Sequence, residues 1–433
     1  MILASYLVLL VVVLLVAGQT LAVAAFVREL LRAQRPASAD CSDTAIETGC
    51  ATGMPKAAVI LSLRGPDPYL SRTLRALQQL DYPDYEIHLV VDSKSDPVWD
   101  NILDALDDMD ALNRCGADRV CIRTLRNPAS TCSLKCSSLV QAVRALNDSI
   151  EVVAFVDGDA VPHRLWLQDL VAPLNDSSIG VVTGNRWFVP KNVHWGTLVR
   201  YFWNVGAVVQ VWLNGIVWAG SMAMRRDVID KIELLEAWSK SLSVDATICR
   251  QLRKHRLRVR FAPNVMMANR ENIGLSKFVG WVQRQLVAAK SCGPNWRVVA
   301  LHALALTGSQ LAALVICLAA CLNGSHTACR VSLLAMAVYW VSATLSTVAT
   351  EFSVRRVLSQ NKDHVSWPRR AWLAFAPALA LTHLAYPYAL LGAYAQKQVS
   401  WRGVDYVVRG VNDIELCRYE PYQNAKDHVE SVV

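Results

Sequence analysis

The chain has 433 residues, of which 53% are hydrophobic, with 12 cysteines and a formal net charge of +8. That length exceeds one ordinary globular core, and the apolar excess exceeds what a wholly soluble protein carries. The basic excess lies in flanks and loops rather than in a compact Lys/Arg run interleaved with aromatics, which excludes a nucleic-acid partner and fits an anionic membrane leaflet.

Met1 to Val27 carries no charged side chain and is long enough to cross a hydrocarbon core of about 30 Å. No basic segment precedes it, and Arg28, Arg32 and Arg35 follow it directly. That is the pattern of an uncleaved anchor, residues 1–28, with the next domain in the cytosol, rather than of a signal peptide. Residues 29–55, rich in Ala, Ser, Thr, Gly and Pro, read as a linker. A folded α/β domain is predicted over 56–297.

Ala57 to Leu63 reads as a buried strand, and Arg64-Gly65-Pro66-Asp67-Pro68 as a turn. Leu70, Leu74, Leu77 and Leu80 then recur on one helical face, and Tyr85 to Val91 is a second strand ending at Asp92. The three elements make one βαβ unit. A helix over Pro97 to Asn113, a strand over Cys121 to Thr124 and a helix over Leu134 to Leu146 follow. Val152 to Val156 is a strand that runs into Asp157-Gly158-Asp159. This order predicts a mostly parallel sheet with helices on both faces.

Ligands of such sheets sit outside the carboxyl ends of the strands. Asp92, the Asp157 and Asp159 pair, and the Arg64–Gly65 turn all fall there. Paired carboxylates suit a Mg²⁺ or Mn²⁺ ion that neutralises a nucleotide diphosphate. The chain has no G-x-S-x-G elbow and no Cys–His nucleophile arrangement, as an inverting single displacement allows.

The aromatic stretch Gly196 to Gly215 fits either an interfacial helix or a core helix. Further apolar stretches at Val298–Leu322, Val331–Thr350 and Ala371–Tyr394 predict a membrane region, residues 298–395, with about three helices. Counting four crossings puts the polar tail, residues 396–433, on the side opposite the α/β domain. Its balanced charge leaves its side open. The cysteines form no C-x-x-C pair and read as reduced, small apolar fillers.

Taken together, these motifs resemble a family 2-type inverting glycosyltransferase of the GT-A fold, and most of all its ceramide glucosyltransferase-like branch. The resemblance implies an α/β fold with a mixed, mostly parallel sheet and transmembrane helices at both ends. It implies that Asp92 contacts uracil or ribose and that Arg64 and Gly65 form the first nucleotide-binding loop. Lys135 falls in the segment between the first two acidic motifs. Asp157 and Asp159 would bind the metal, Asp159 directly. Asp245, in Ser243-Val244-Asp245, would be the general base, where relatives usually carry two adjacent acids; by residue type alone it is also a first-turn helix acid. Gly220 and Ser221 would lie under the donor sugar. Arg284 is the residue kept from a Gln/Arg-x-x-Arg-Trp motif and would face the leaving diphosphate; Trp281 and Gln285 replace its first and last members. Trp401-Arg402-Gly403-x-x-Tyr406 resembles a signature found after the membrane helices of bacterial members. The implied activity is transfer of one hexose, glucose favoured, from a UDP-sugar to a membrane lipid hydroxyl, ceramide or similar. A processive polysaccharide synthase and a non-catalytic membrane scaffold are the competing readings.

Overall fold

A computed structural model describes residues 1–33, 53–110, 119–290 and 295–422. Most of the expected linker, residues 34–52, lies outside the described residues, as do Cys41, Cys50, Cys115 and Cys292.

After the long helix α1 (Ile2–Arg32), the chain forms β1 (Ala57–Leu63), α2 (Leu70–Gln78), β2 (Tyr85–Val91), α3 (Pro97–Asp110), β3 (Val120–Thr124), α4 (Leu134–Arg144) and β4 (Val152–Val156). The sequence-predicted elements fall within a few residues of these. The short α5 (Trp166–Val171), β5 (Ile179–Thr183), β6 (Arg186–Phe188), α6 (Trp195–Leu213) and β7 (Ser221–Arg225) follow, then α7 (Arg226–Lys231), α8 (Leu234–Trp238) and α9 (Val244–Lys254). The domain closes with β8 (Arg258–Phe261), β9 (Met267–Asn269) and α10 (Leu275–Ala289).

One sheet has the order β3-β2-β1-β4-β7-β5-β8. Its neighbours are parallel except β7, which runs antiparallel to both β4 and β5. The central strands are buried on both faces, so they read as unbroken apolar runs. Leu70, Leu74 and Leu77 of α2 pack on one face, and Leu139 and Val143 of α4 with Trp238 of α8 pack on the other. The carboxyl ends of β1, β2 and β4 therefore open on one side of the sheet.

α6 is a core helix over most of its length. Tyr201, Phe202, Val205 and Val209 are buried, and its exposed large side chains, Trp195 and Leu213, lie at its ends. It is wedged between the α/β domain and the helices that follow. These are α11 (Asn295–Leu322), α12 (His326–Gln360), α13 (Arg369–Leu373) and α14 (Phe375–Ala395). Among the described residues three helical segments are long and apolar enough to cross a membrane: Ile2–Arg32, Ala300–Leu322 and His326–Gln360. The last predicted stretch does not join them. Thr382, His383, Tyr386, Pro387 and Tyr388 interrupt its apolar run, and α14 packs on α6 and α10.

The tail forms an antiparallel sheet of β10 (Gln398–Trp401), β11 (Val404–Gly410) and β12 (Asp413–Arg418). Val404, Tyr406 and Ile414 pack on Leu134 of α4, and the Leu416 N–H donates to the Ser130 carbonyl over 2.8 Å. The tail thus lies on the α/β domain, not opposite it. The four-crossing count does not fit this docking; α14 is not among the three membrane-length apolar helices and packs beside α6 and α10. The described cysteines are free.

Candidate active site

The centre of the site is the end of β4. Asp157 and Asp159 leave the strand on either side of Gly158, and Gly220 presses against Asp157 from the loop before β7. A Cβ on Gly220 would lie 2.3 Å from the Trp218 ring and 2.5 Å from Asp157 Oδ2, so only glycine fits this approach.

Lys135, in the first turn of α4, donates to Asp157 Oδ1 over 2.5 Å. Ser133 caps that helix and fixes its start. Arg186 was not found from the sequence. It opens β6, and its Nη2 reaches Asp157 Oδ2 at 3.2 Å and Asp159 Oδ1 at 2.8 Å. The only sequence signal for it is a lone Arg just past a strand, in Gly184-Asn185-Arg186. Asn269, at the end of the paired strand β9, donates to Asp159 Oδ2 over 3.4 Å.

The electrostatics separate the acids. Burial alone would raise Asp157, but Lys135 and Arg186 hold its carboxyl below the usual range. Burial, opposed by Arg186 and reinforced by the charge of Asp157, pushes Asp159 up to about 6. Asp245 sits in the first turn of α9, whose N-cap is Ser243, and accepts the Ala219 N–H over 2.8 Å. Burial pushes it up to about 6 against the pull of Lys135. Burial would lower the Lys135 ammonium, but Asp157 and Asp245 outweigh that and keep it raised. One lysine thus stands between the strand-end pair and the helix-start acid.

Asp157 Oδ2 and Asp159 Oδ1 converge on a single cationic nitrogen. That donor set, two carboxylate oxygens aimed at one point, fits a hard divalent cation in place of the guanidinium.

Two expected donor contacts are placed differently. Ser221 is fully buried; its Oγ accepts from Trp166 Nε1 over 2.9 Å and donates to the Val265 carbonyl over 3.2 Å. It supports the core beneath the site, since alternation along β7 turns it inward. The second difference lies at the ends of β1 and β2. Asp92 is 4% and Arg64 6% exposed, and the two form an ion pair. Asp92 also accepts from Tyr419 Oη and from the Tyr422 N–H, each over 3.0 Å. Arg64 donates to the carbonyls of Arg402 and Glu420 over 3.1 and 2.9 Å. Gly65, at φ +69°, lies under the Tyr422 ring, and its N–H donates to Asp96 over 2.8 Å. Arg64, Gly65 and Asp92 therefore dock the C-terminal segment, which no sequence motif ties to the site.

Arg284 lies on α10, half-buried, and has no carboxylate partner among the described residues. Burial, with Arg402 nearby, pushes its guanidinium down to about 10. Gln285 beside it is exposed, and Trp281 is packed against Phe188, Trp203 and Phe278.

A mostly parallel sheet with one inserted antiparallel strand, carrying acids and fixed cations at the end of β4, is the GT-A arrangement of a glycosyltransferase. Residues 12–414 match the model of glycosyl transferase family 21, and the chain belongs to that family. The sequence resemblance named the family 2 type; the class, a glycosyltransferase, is the same. Among solved structures the chain is similar to glucosyl-3-phosphoglycerate synthase from Mycobacterium tuberculosis in complex with phosphoglyceric acid, at 15% identity over 60% of this chain and 86% of that one, TM-score 0.37. The same synthase in complex with Mn²⁺ and uridine-diphosphate-glucose is similar at 15% identity, over 60% and 85%, TM-score 0.37.

Proposed function

We propose that this glycosyltransferase is a multi-pass membrane enzyme that moves one hexose, glucose favoured, from a UDP-sugar to a lipid hydroxyl, with ceramide or a similar lipid as acceptor. The reaction is a metal-dependent inverting displacement. The observation that carries the reading is the convergence of Lys135, Asp157, Asp159, Arg186 and Asp245 around the Gly220 approach.

Asp157 and Asp159 would hold Mg²⁺ or Mn²⁺, which when bound neutralises charge on the leaving diphosphate. Lys135 and Arg186 are positive charges fixed at the same strand end, and Arg284 adds a guanidinium with no competing carboxylate. Asp245, with a pKa of about 6, is mostly ionised at neutral pH and basic enough to take the acceptor hydroxyl proton. No protein nucleophile is needed for inversion.

In this reading α1, Ala300–Leu322 and α12 cross the membrane. Three crossings return the chain to the side of the α/β domain, which agrees with the docking of β10–β12 there. Arg28 and Arg32 at the end of α1, and Arg355 and Arg356 near the end of α12, mark that side as cytosolic. Asn147 and Asn175 are exposed and stand in Asn-Asp-Ser acceptor triplets. Expressed as the full chain in a eukaryotic host, the protein is expected to carry no glycan on either. A glycosidase-sensitive mass shift that vanishes in Asn147→Gln or Asn175→Gln would reverse the orientation.

A single transfer per lipid follows from α10. A processive synthase needs a flat aromatic face to hold the growing end, but Gln285 is an exposed amide and Trp281 is committed to its aromatic neighbours. Purified protein given UDP-glucose, Mn²⁺ and ceramide is expected to yield one product, heavier than ceramide by one hexose. A ladder of many sugars restores the polysaccharide synthase. Absence of both transfer and metal-dependent UDP release, across a panel of nucleotide sugars and lipids, leaves the scaffold.

A further inference from the structure

At the domain-side end of α12 a cavity of about 100 Å³ opens between α6, α12 and the α13–α14 segment. One wall is Tyr201, Trp367 and Phe375; the other carries Val348, Phe352 and Trp372, which are 47%, 58% and 47% exposed. The exposed wall continues the outward apolar face of α12 through Leu345 and Val341, so the cavity opens where that face meets lipid.

Its polar groups are lopsided. Glu351 is the one carboxylate in the lining, and it is already committed. It accepts from Arg355 Nε over 2.6 Å, from Tyr201 Oη over 2.9 Å and from Trp187 Nε1 over 3.1 Å. Two other lining residues carry buried donors without a hydrogen-bond partner among the described residues: Arg355 Nη2 and Trp367 Nε1. An orphaned buried donor is costly, and two in one lining call for an occupant that supplies acceptor oxygens. Arg356, whose guanidinium lies 4.5 Å from the Phe352 ring centroid at the mouth, adds a second cation against the single Glu351 charge. The local balance favours an anion.

We infer that this cavity binds the phosphodiester of an anionic membrane phospholipid, with Arg355 Nη2 and Trp367 Nε1 donating to its oxygens and the acyl chains running along Val348 and Phe352. The inference rests on the membrane reading of α12 but not on the transferase chemistry. The cavity also adjoins the catalytic face through β6, where Arg186 meets the site acids and the next residue, Trp187, bonds Glu351.

The test is native mass spectrometry of the full chain in detergent, titrated with phosphatidylglycerol. One tightly held lipid per chain is expected. Trp367→Phe keeps the ring packing and removes only the N–H, so the affinity of that lipid should fall about tenfold. Val348→Trp, which narrows the mouth from the lipid side, should weaken it as well. Equal retention by wild type and both variants would overturn the proposal. So would equal competition by diacylglycerol, which lacks the phosphate, or displacement by inorganic phosphate at the same concentration, which would make the occupant a free ion. No sugar transfer is read, so failure here leaves the proposed activity untouched.

Discussion

Asp159→Asn is expected to lower kcat/KM by roughly 100-fold or more, the loss that follows from removing a few kcal/mol of stabilisation of the leaving diphosphate. The protein should stay folded. Arg186 keeps Asp157 as a partner at 3.2 Å, and Asp159 takes no part in the apolar clusters that hold the sheet. Apparent Mn²⁺ affinity, followed by the paramagnetic signal of the free ion, should fall with activity. In the wild type that affinity should weaken as pH drops below about 6, because protonating Asp159 removes a ligand. Wild-type activity in the mutant with metal chelated would end the metal reading.

Asp245→Asn is expected to reduce kcat by 10²- to 10⁴-fold, the usual worth of a general base. Affinity for UDP should change little, since the hydrogen bond that holds Asp245 comes from the Ala219 amide and its main counter-charge is Lys135. The sign of the pH dependence follows from its role. A base works ionised, so wild-type kcat should rise with pH through about 6 and then level off. The Asn variant should lose that limb. A parallel loss of UDP binding would mean that Asp245 holds the donor or the start of α9.

Several features were legible because they are local. The apolar runs of β1, β2 and β4 announce buried parallel strands, and a strand followed at once by Asp157-Gly158-Asp159 marks a ligand edge whatever surrounds it. The absence of charge in Met1–Val27 fixes a membrane-length helix by composition alone. Asp245 is placed by its own helix start, two residues past Ser243, which supplies the cap.

What the sequence could not supply are contacts between residues far apart in the chain. Arg186 joins the acids only because β6 pairs with β9 and turns that side chain toward the end of β4. Ser221 reads as a donor contact in a linear motif, but the pleat of β7 directs it at Trp166 in the core. The tail's side is open in the sequence because its charges balance; Tyr419 and Tyr422 dock it on the α/β domain by bonding Asp92, more than 300 positions earlier. The last apolar stretch is similar. Its composition suggests a crossing, and only the tertiary structure shows that it packs along α6 and α10. Composition and period thus determined the sheet, the strand-end acids and the membrane-length helices, each set by a few neighbouring residues. The tertiary structure decided which charges meet, which motif residues face the site and where the tail lies, because each depends on how distant segments pack.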